Sequence, residues 1–459
     1  MMQGEGHLAQ ATALGGTRPR PSTLHFNPGN TGRRGKIVVI SSVHDYRMAR
    51  RGSIQALADA LVRLGHEVTF VSIRFSWLSL LRGDSRSSLW HRANRLEMHN
   101  GMRCYLWRTA LHPFNTSSTL VNALLTPAFA LYGRSVNRTF DEEVRSASFI
   151  VVESGIGVML LRRLRKLNPS ATIIYRASDT LNAIGNHPAV EAELRRCVRL
   201  VNHVCLLAPK MAPDFVWAAD KAFVVPLGVH HQDFEGVGPN PYTAPLNAVS
   251  VGGMLFDEGF FFHAASRFPN VHFHVIGSGR QFAVPENVHL YPEMPFKETL
   301  PFIKHATFGV APYRSSEGVE YLSESSLKLM QYEYFGKPAV CPHFAAGASP
   351  LRFGYEPADP DSIAAAVGGA LAKDGQTVRR RRFLSWDEAA RRLLDPGAYV
   401  DTRLPSDAFN TDACRRVTER NHTLGTWGRQ REPGTASDGV PYTASSGQAA
   451  RGSRAGKAS

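Results

Sequence analysis

Ser325, Lys328 and Gln331 fall three residues apart in the stretch 325–341, SSLKLMQYEYFGKPAVC, and so form one polar line along a helix. Ser325 and Ser326 start that helix, and Leu327, Met330 and Tyr334 give it an apolar stripe. Gly336 supplies a left-handed stop, with Pro338 beyond it. A helix start offers unpaired N–H groups and a positive dipole end to an anion, and a lysine one turn in adds a full charge. The chemistry that suits this pattern is the gripping of a diphosphate; the alternative is a solvated helix face.

Such a helix needs a sheet behind it, and the chain supplies two. From Lys36, short β-branched runs at 36–41, 67–72, 149–152, 172–175 and 203–207 alternate with helix-length segments such as 54–64 and 158–167. After a Gly/Pro-rich passage at 236–245 the pattern restarts with runs at 248–251, 271–276, 287–290, 307–311 and 339–341. Continuous apolar runs separated by helices mark parallel, doubly wound sheets. The expected architecture is α/β, with two Rossmann-like domains facing each other across a cleft. Ligands gather at the carboxyl ends of such strands. Polar or small residues sit there six times: 41–47 followed by Arg50 and Arg51, Glu153-Ser154-Gly155, Arg176 to Asp179, Gly252-Gly253-Met254, Gly277-Ser278-Gly279, and Pro312-Tyr313.

With 459 residues and 43% hydrophobic content the chain is long enough for two domains. Its net charge of +14 is concentrated partly in the ends, where 1–35 and 406–459 read as disordered tails, and partly in the run 379–382. No nucleic-acid recognition motif accompanies the charge, and an anionic membrane surface or an anionic donor accounts for it equally well. The five cysteines, Cys104, Cys197, Cys205, Cys341 and Cys414, show no CxxC pairing and read as buried thiols of a reducing compartment. The first apolar run is too short for a secretory leader, and no run approaches the ~20 residues of a spanning helix.

Two motifs are set aside. In Gly277-Ser278-Gly279 the third glycine of a dinucleotide fingerprint is missing, since position 282 is Phe. Asp359-Pro360-Asp361 immediately precedes a helix, where Asp359 reads as a cap rather than a metal ligand. His230-His231 and the pair His272, His274 lack further ligands at zinc spacing, so neither metal nor cofactor is expected.

Two tandem domains ending in a helix with Lys328 and Gly336-Lys337-Pro338 look like a GT-B glycosyltransferase, in which the related segment often reads KLxEYxxxGKP, with glutamate where Gln331 stands here. The strings SSVHDYRMARR, HNGMRCYLWRTALHPFNT, ESGIGV, YRASDTLN, VGGMLFD, FHVIGSG, FIKHATFGVAPY and SSLKLMQYEYFGKPAVCP resemble the GumK-type membrane-associated β-glucuronosyltransferases of xanthan-like exopolysaccharide assembly, over about residues 36–404. The resemblance implies inverting, metal-independent transfer of glucuronate from UDP-glucuronate to the mannose of a polyprenyl-diphosphate-linked oligosaccharide, at the cytoplasmic face of the inner membrane. It implies Asp179 as catalytic base, a role that suits a single carboxylate taking a hydroxyl proton; a capping Asp is the plainer reading of the residue alone. It also implies UDP contacts from Met254, Glu293, Tyr313, Leu327, Lys328 and Gln331, with Arg50 or Arg51 meeting the acceptor diphosphate or the donor carboxylate. Two positions depart from the family: Leu327 stands for Met, and the family's GVD reads Gly228-Val229-His230. The rival functions are a GT-B-fold UDP-sugar epimerase and a non-catalytic UDP-sugar or membrane scaffold.

The expected division is a tail at 1–35, an acceptor-side domain at 36–228, a UDP-sugar domain at 229–385, a segment at 386–405 returning to the first domain, and a tail at 406–459. A lipid-linked acceptor would bring the first domain to a bilayer. Two stretches suit the interface: 111–132, with Phe114, Leu120, Val121, Leu124, Leu125, Phe129, Leu131 and Tyr132 between Arg108 and Arg134, and Phe75, Trp77, Leu78, Leu80 and Leu81 among Arg74, Arg82 and Arg86. Ordinary packing against the sheet is the alternative for both.

Overall fold

The computed structural model describes residues 34–49, 51–116, 118–316, 318–373 and 382–410. The tails expected at the two ends therefore lie almost wholly outside the described residues, as do Arg50, Cys414 and residues 379–381 of the basic run. At the boundary, Ser406–Phe409 forms a 3-10 turn that packs on the Pro209–Lys221 segment.

The first sheet contains β1 (Lys36–Ser41), β2 (Glu67–Phe75), β3 (Leu96–His99), β4 (Met102–Arg108), β5 (Phe149–Glu153), β6 (Thr172–Ala177), β7 (His203–Leu206) and β8 (Ala222–Val224). Their order is β3-β4-β2-β1-β5-β6-β7-β8, all parallel except β3 against β4. The second sheet contains β9 (Asn247–Val251), β10 (His272–Ile276), β11 (Val288–Tyr291), β12 (Phe308–Val310), β13 (Ala339–Pro342) and β14 (Arg352–Tyr355), in the order β11-β10-β9-β12-β13-β14 and parallel throughout. Ile37, Val38, Val39 and Ile40 are fully buried because helices cover both faces of β1. Strand order reverses at β1/β5 in one sheet and at β9/β12 in the other, which makes two switch points, each a crevice outside the carboxyl ends. This is the GT-B arrangement.

The chain passes between the two lobes twice, and the two passages touch. The Val229 amide donates to Leu384 O at 2.8 Å, and Val229 bridges Ser385. Gly228 is required there, since a Cβ would sit 2.6 Å from the Trp386 backbone. Beyond the second passage the Trp386–Leu394 helix, started by the Ser385–Glu388 capping box, lies on the Ser53–Arg63 helix, and Arg63 pairs with Asp387 at 2.6 Å.

Candidate active site

A cavity of about 850 Å3 lies between the carboxyl ends of the two sheets. Arg51, Glu153, Asp179 and His230 line it along with Met254, Glu293, Tyr313, Leu327, Lys328 and Gln331. Every site residue expected from the sequence is brought together here except Arg50, which is outside the described residues.

The helix expected to meet an anion runs Leu327–Tyr334 and begins at Ser326, whose Oγ accepts from the Leu329 amide at 3.2 Å. Ser325 instead ends a separate short helix, Leu322–Ser325. That one-residue shift corrects the expected apolar stripe, because Leu327 and Tyr334 are only half-buried, while Leu329, Met330 and Tyr332 face inward. Tyr332 packs on the sheet, and its hydroxyl proton is shared between Val249 O and Val310 O, at 3.0 and 3.1 Å. The stop at Gly336 stands as expected.

Lys328 is buried, which excludes a solvated helix face. Its Nζ donates to Gly252 O at 3.2 Å and lies 5.3 Å from the centre of the Tyr313 ring. Loss of hydration pushes its ammonium down to about 7. An ammonium has three donors, and among the described residues one is used. Tyr313, also buried, shares a 2.6 Å hydrogen bond with Ser326 Oγ, so the floor of the site is fixed to the helix start. Gly253 must lack a side chain, as a Cβ would fall 2.2 Å from Ser278 O; the turns after β9 and β10 can therefore close on each other. Glu293 and Met254 are exposed in the wall, and Gln331 and Leu327 are half-buried.

On the opposite wall, Asp179 follows β6. Its Oδ1 accepts from the Tyr321 hydroxyl of the other lobe at 2.6 Å, and its amide meets Ser154 Oγ at 3.3 Å. Burial pushes the carboxyl up to about 6; the Tyr321 hydrogen bond opposes this, the Glu153 charge adds to it and Arg176 opposes it. Asp179 caps no helix, since the following turn is held by Thr180 Oγ1 and the Ala183 amide. Behind Asp179 lies a buried network in which Glu153 accepts from Ser41 Oγ at 2.6 Å and Ser178 Oγ at 3.0 Å. Arg176 sits 3.6 Å from Glu153 and donates to Ser53 and Ser178.

Arg51 is paired with Asp59, donates to Tyr46 O at 3.3 Å and stacks 4.7 Å from the Tyr46 ring centre. His230 is half-buried beside Trp386, and burial pushes its pKa down, so an imidazole whose neutral form is favoured by burial stands where a carboxylate was expected from the resemblance. Asp359 accepts from the amides of Asp361 and Ser362, as a cap does. Among the described residues no three His, Cys, Asp or Glu side chains meet in a metal-ligating arrangement. Tyr321 was not foreseen, because nothing local in the sequence places it against Asp179.

No helix among the described residues is long and apolar enough to cross a membrane. The Thr119–Gly133 helix packs through Phe129 and Tyr132 and leaves Leu120, Leu124 and Leu131 exposed. Trp77, Leu81 and Leu111 are exposed as well.

The model of the N-terminal domain of the glucuronosyltransferase GumK matches residues 40–207. The chain is 41% identical over 376 residues to the UDP-glucuronate:glycolipid 2-beta-glucuronosyltransferase of Xanthomonas campestris pv. campestris, covering 82% of this chain and 93% of that one. Among solved structures it is similar to an Escherichia coli trehalose-6-phosphate protein bound with UDP-2-fluoro glucose, with 12% identity, TM-score 0.48, and coverage of 83% of this chain and 98% of that one. It is also similar to the calicheamicin glycosyltransferase CalG4, with 14% identity, TM-score 0.39, and coverage of 85% and 99%. With this sequence kinship spanning both lobes of the cleft, the chain belongs to the GumK family of glucuronosyltransferases.

Proposed function

We propose that the protein is an inverting β-glucuronosyltransferase that moves glucuronate from UDP-glucuronate to a glycolipid acceptor. The observation that carries this is a partly desolvated carboxylate, Asp179, facing across one cavity a lobe that holds a buried lysine with donors to spare. Met254, Glu293, Tyr313, Leu327, Lys328 and Gln331 hold the UDP moiety, and Arg51 meets the donor carboxylate or an acceptor phosphate. An acceptor hydroxyl oxygen attacks the anomeric carbon from the face opposite UDP. The bond from that carbon to the diphosphate oxygen breaks, UDP departs with the electron pair, and Asp179 takes the hydroxyl proton. Lys328 and the amides at the start of the Leu327–Tyr334 helix stabilise the charge building on the leaving diphosphate.

The finer acceptor is the mannose of a polyprenyl-diphosphate-linked oligosaccharide in exopolysaccharide synthesis, met by a peripheral enzyme on the cytoplasmic leaflet. Exposed Trp77, Leu81, Leu120 and Leu124 support that docking. Replacing Trp77 and Leu81 by serine should release the protein from anionic liposomes in a flotation assay; undiminished flotation rejects the docking. For the reaction itself, UDP-glucuronate labelled in its sugar is incubated with membrane extract. Label in the lipid fraction is expected, whereas an isomerised donor in solution would indicate an epimerase and no turnover a scaffold.

A further inference from the structure

Beyond the cavity, at the carboxyl end of β2, Arg74 holds a left-handed backbone with φ +58°, a conformation strained for a non-glycine residue. Its amide is pinned by the Tyr132 hydroxyl at 3.0 Å, so the strain is imposed from two elements. Among the described residues its guanidinium has no hydrogen-bond acceptor; burial first, then the charges of Arg86 and Arg82, disfavour its cation, against the opposing pull of Asp84 and Tyr132. Arg86 nearby is fully committed, donating to Ile73 O at 2.9 Å and Arg74 O at 3.1 Å and pairing with Asp84 at 2.7 Å. Arg82 lies 4.3 Å from the centre of the Phe114 ring. His112 is buried with Nδ1 2.9 Å from Ser76 Oγ; burial first, and the arginines after it, push its pKa down to about 4. Three guanidinium groups thus share one carboxylate, and that carboxylate is taken.

We propose that Arg74, Arg82 and His112 form a binding site for the diphosphate of a lipid-linked acceptor, whose tail lies over Trp77, Leu81 and Leu111. The assignment rests on the lipid-linked acceptor proposed above, adds where its anion is held, and leaves Arg51 to the donor carboxylate. An anion here supplies the missing acceptor for Arg74 and relieves the mutual repulsion of the cluster. The exposed apolar side chains beside it give a reason for the anion to carry a hydrocarbon chain. The position also fits the reaction. β6, which Asp179 follows, is three strands from β2 in the sheet, roughly 14 Å at the usual strand spacing, a gap that the sugars of an oligosaccharide can bridge.

The test is calorimetric titration of the full chain with farnesyl diphosphate, farnesol and UDP. Arg74→Asn suits the left-handed backbone while removing the charge, and Arg82→Gln removes the charge of an exposed residue. Each variant should weaken farnesyl diphosphate binding about tenfold and leave UDP binding unchanged. Affinity within twofold of wild type in both variants overturns the site, as does an equal loss for farnesol. Unchanged farnesyl diphosphate affinity with lost flotation on phosphatidylglycerol vesicles also overturns it, because the anion held is then a phospholipid headgroup. Binding lost in the variants of a protein that transfers no sugar leaves this site standing and removes the transferase; transfer with insensitive binding does the reverse.

Discussion

The two walls of the cleft are built on different principles. The wall carrying Asp179 is a dense lattice of side chains, in which Glu153, Arg176, Ser178, Ser41 and Ser53 satisfy one another behind the carboxylate. The opposite wall is shaped by tight backbone turns at Gly253 and at the start of the Leu327–Tyr334 helix, and its buried cation, Lys328, is bonded among the described residues to a carbonyl alone. A lattice of this kind fixes one proton acceptor in place before substrate arrives. A backbone cradle leaves its charge waiting for a partner, so occupancy rather than folding completes it.

Removing the acceptor of the proton is the most direct way to break that contrast. Asp179→Asn should lower kcat by about 10³-fold, measured by sugar transfer, with UDP affinity preserved. The same variant should melt at a higher temperature at pH 7.5. A carboxyl raised from 3.8 to about 6 binds more protons in the folded than in the unfolded state between those values, so its ionisation above pH 6 destabilises the native protein. On the other wall, Lys328→Met should weaken UDP binding by roughly 10–100-fold by calorimetry, the loss of one charge-assisted contact to a diphosphate, with little change in melting temperature because the side chain stays buried.

A pH profile probes both walls at once. Transfer needs Asp179 ionised and Lys328 protonated, so kcat/KM should rise through pH 6, peak between 6 and 7, and fall above 7. In kcat the alkaline limb should move upward, since bound diphosphate favours the ammonium; an alkaline limb that stays in place would separate Lys328 from the diphosphate. The smallest effect is expected from Tyr321→Phe. It should cost only several-fold in kcat at neutral pH yet shift the acid limb to higher pH, because the lost hydrogen bond had favoured the carboxylate. An unmoved acid limb would make Tyr321 a packing residue.

Much of this was legible from sequence, for a definite reason. Buried parallel strands are continuous apolar runs, and all ten of those read from the sequence are present. The four others, β3, β4, β8 and β14, are short or lie near sheet edges, where half-exposed residues such as those of Leu96–His99 blur the pattern. A turn signal was nevertheless there, since Asn100 and Gly101 both have the positive φ that suits a tight hairpin. Lys328 was found by its spacing, but its burial was not, because periodicity from Ser325 set the helix one residue early. Tyr321 and Arg74 carry no local signal at all. The first matters through a residue 142 positions away, and the second through a backbone strain that only tertiary packing imposes.

The touching passages at Val229 and Ser385 have a mechanical corollary. Two chain crossings tied side by side favour rotation about one line over parallel separation of the lobes. Any such rotation would displace His230 and Trp386, which are next to that line in the chain, less than residues far from it, and would have to break the hydrogen bond of Tyr321 to Asp179 that spans the lobes.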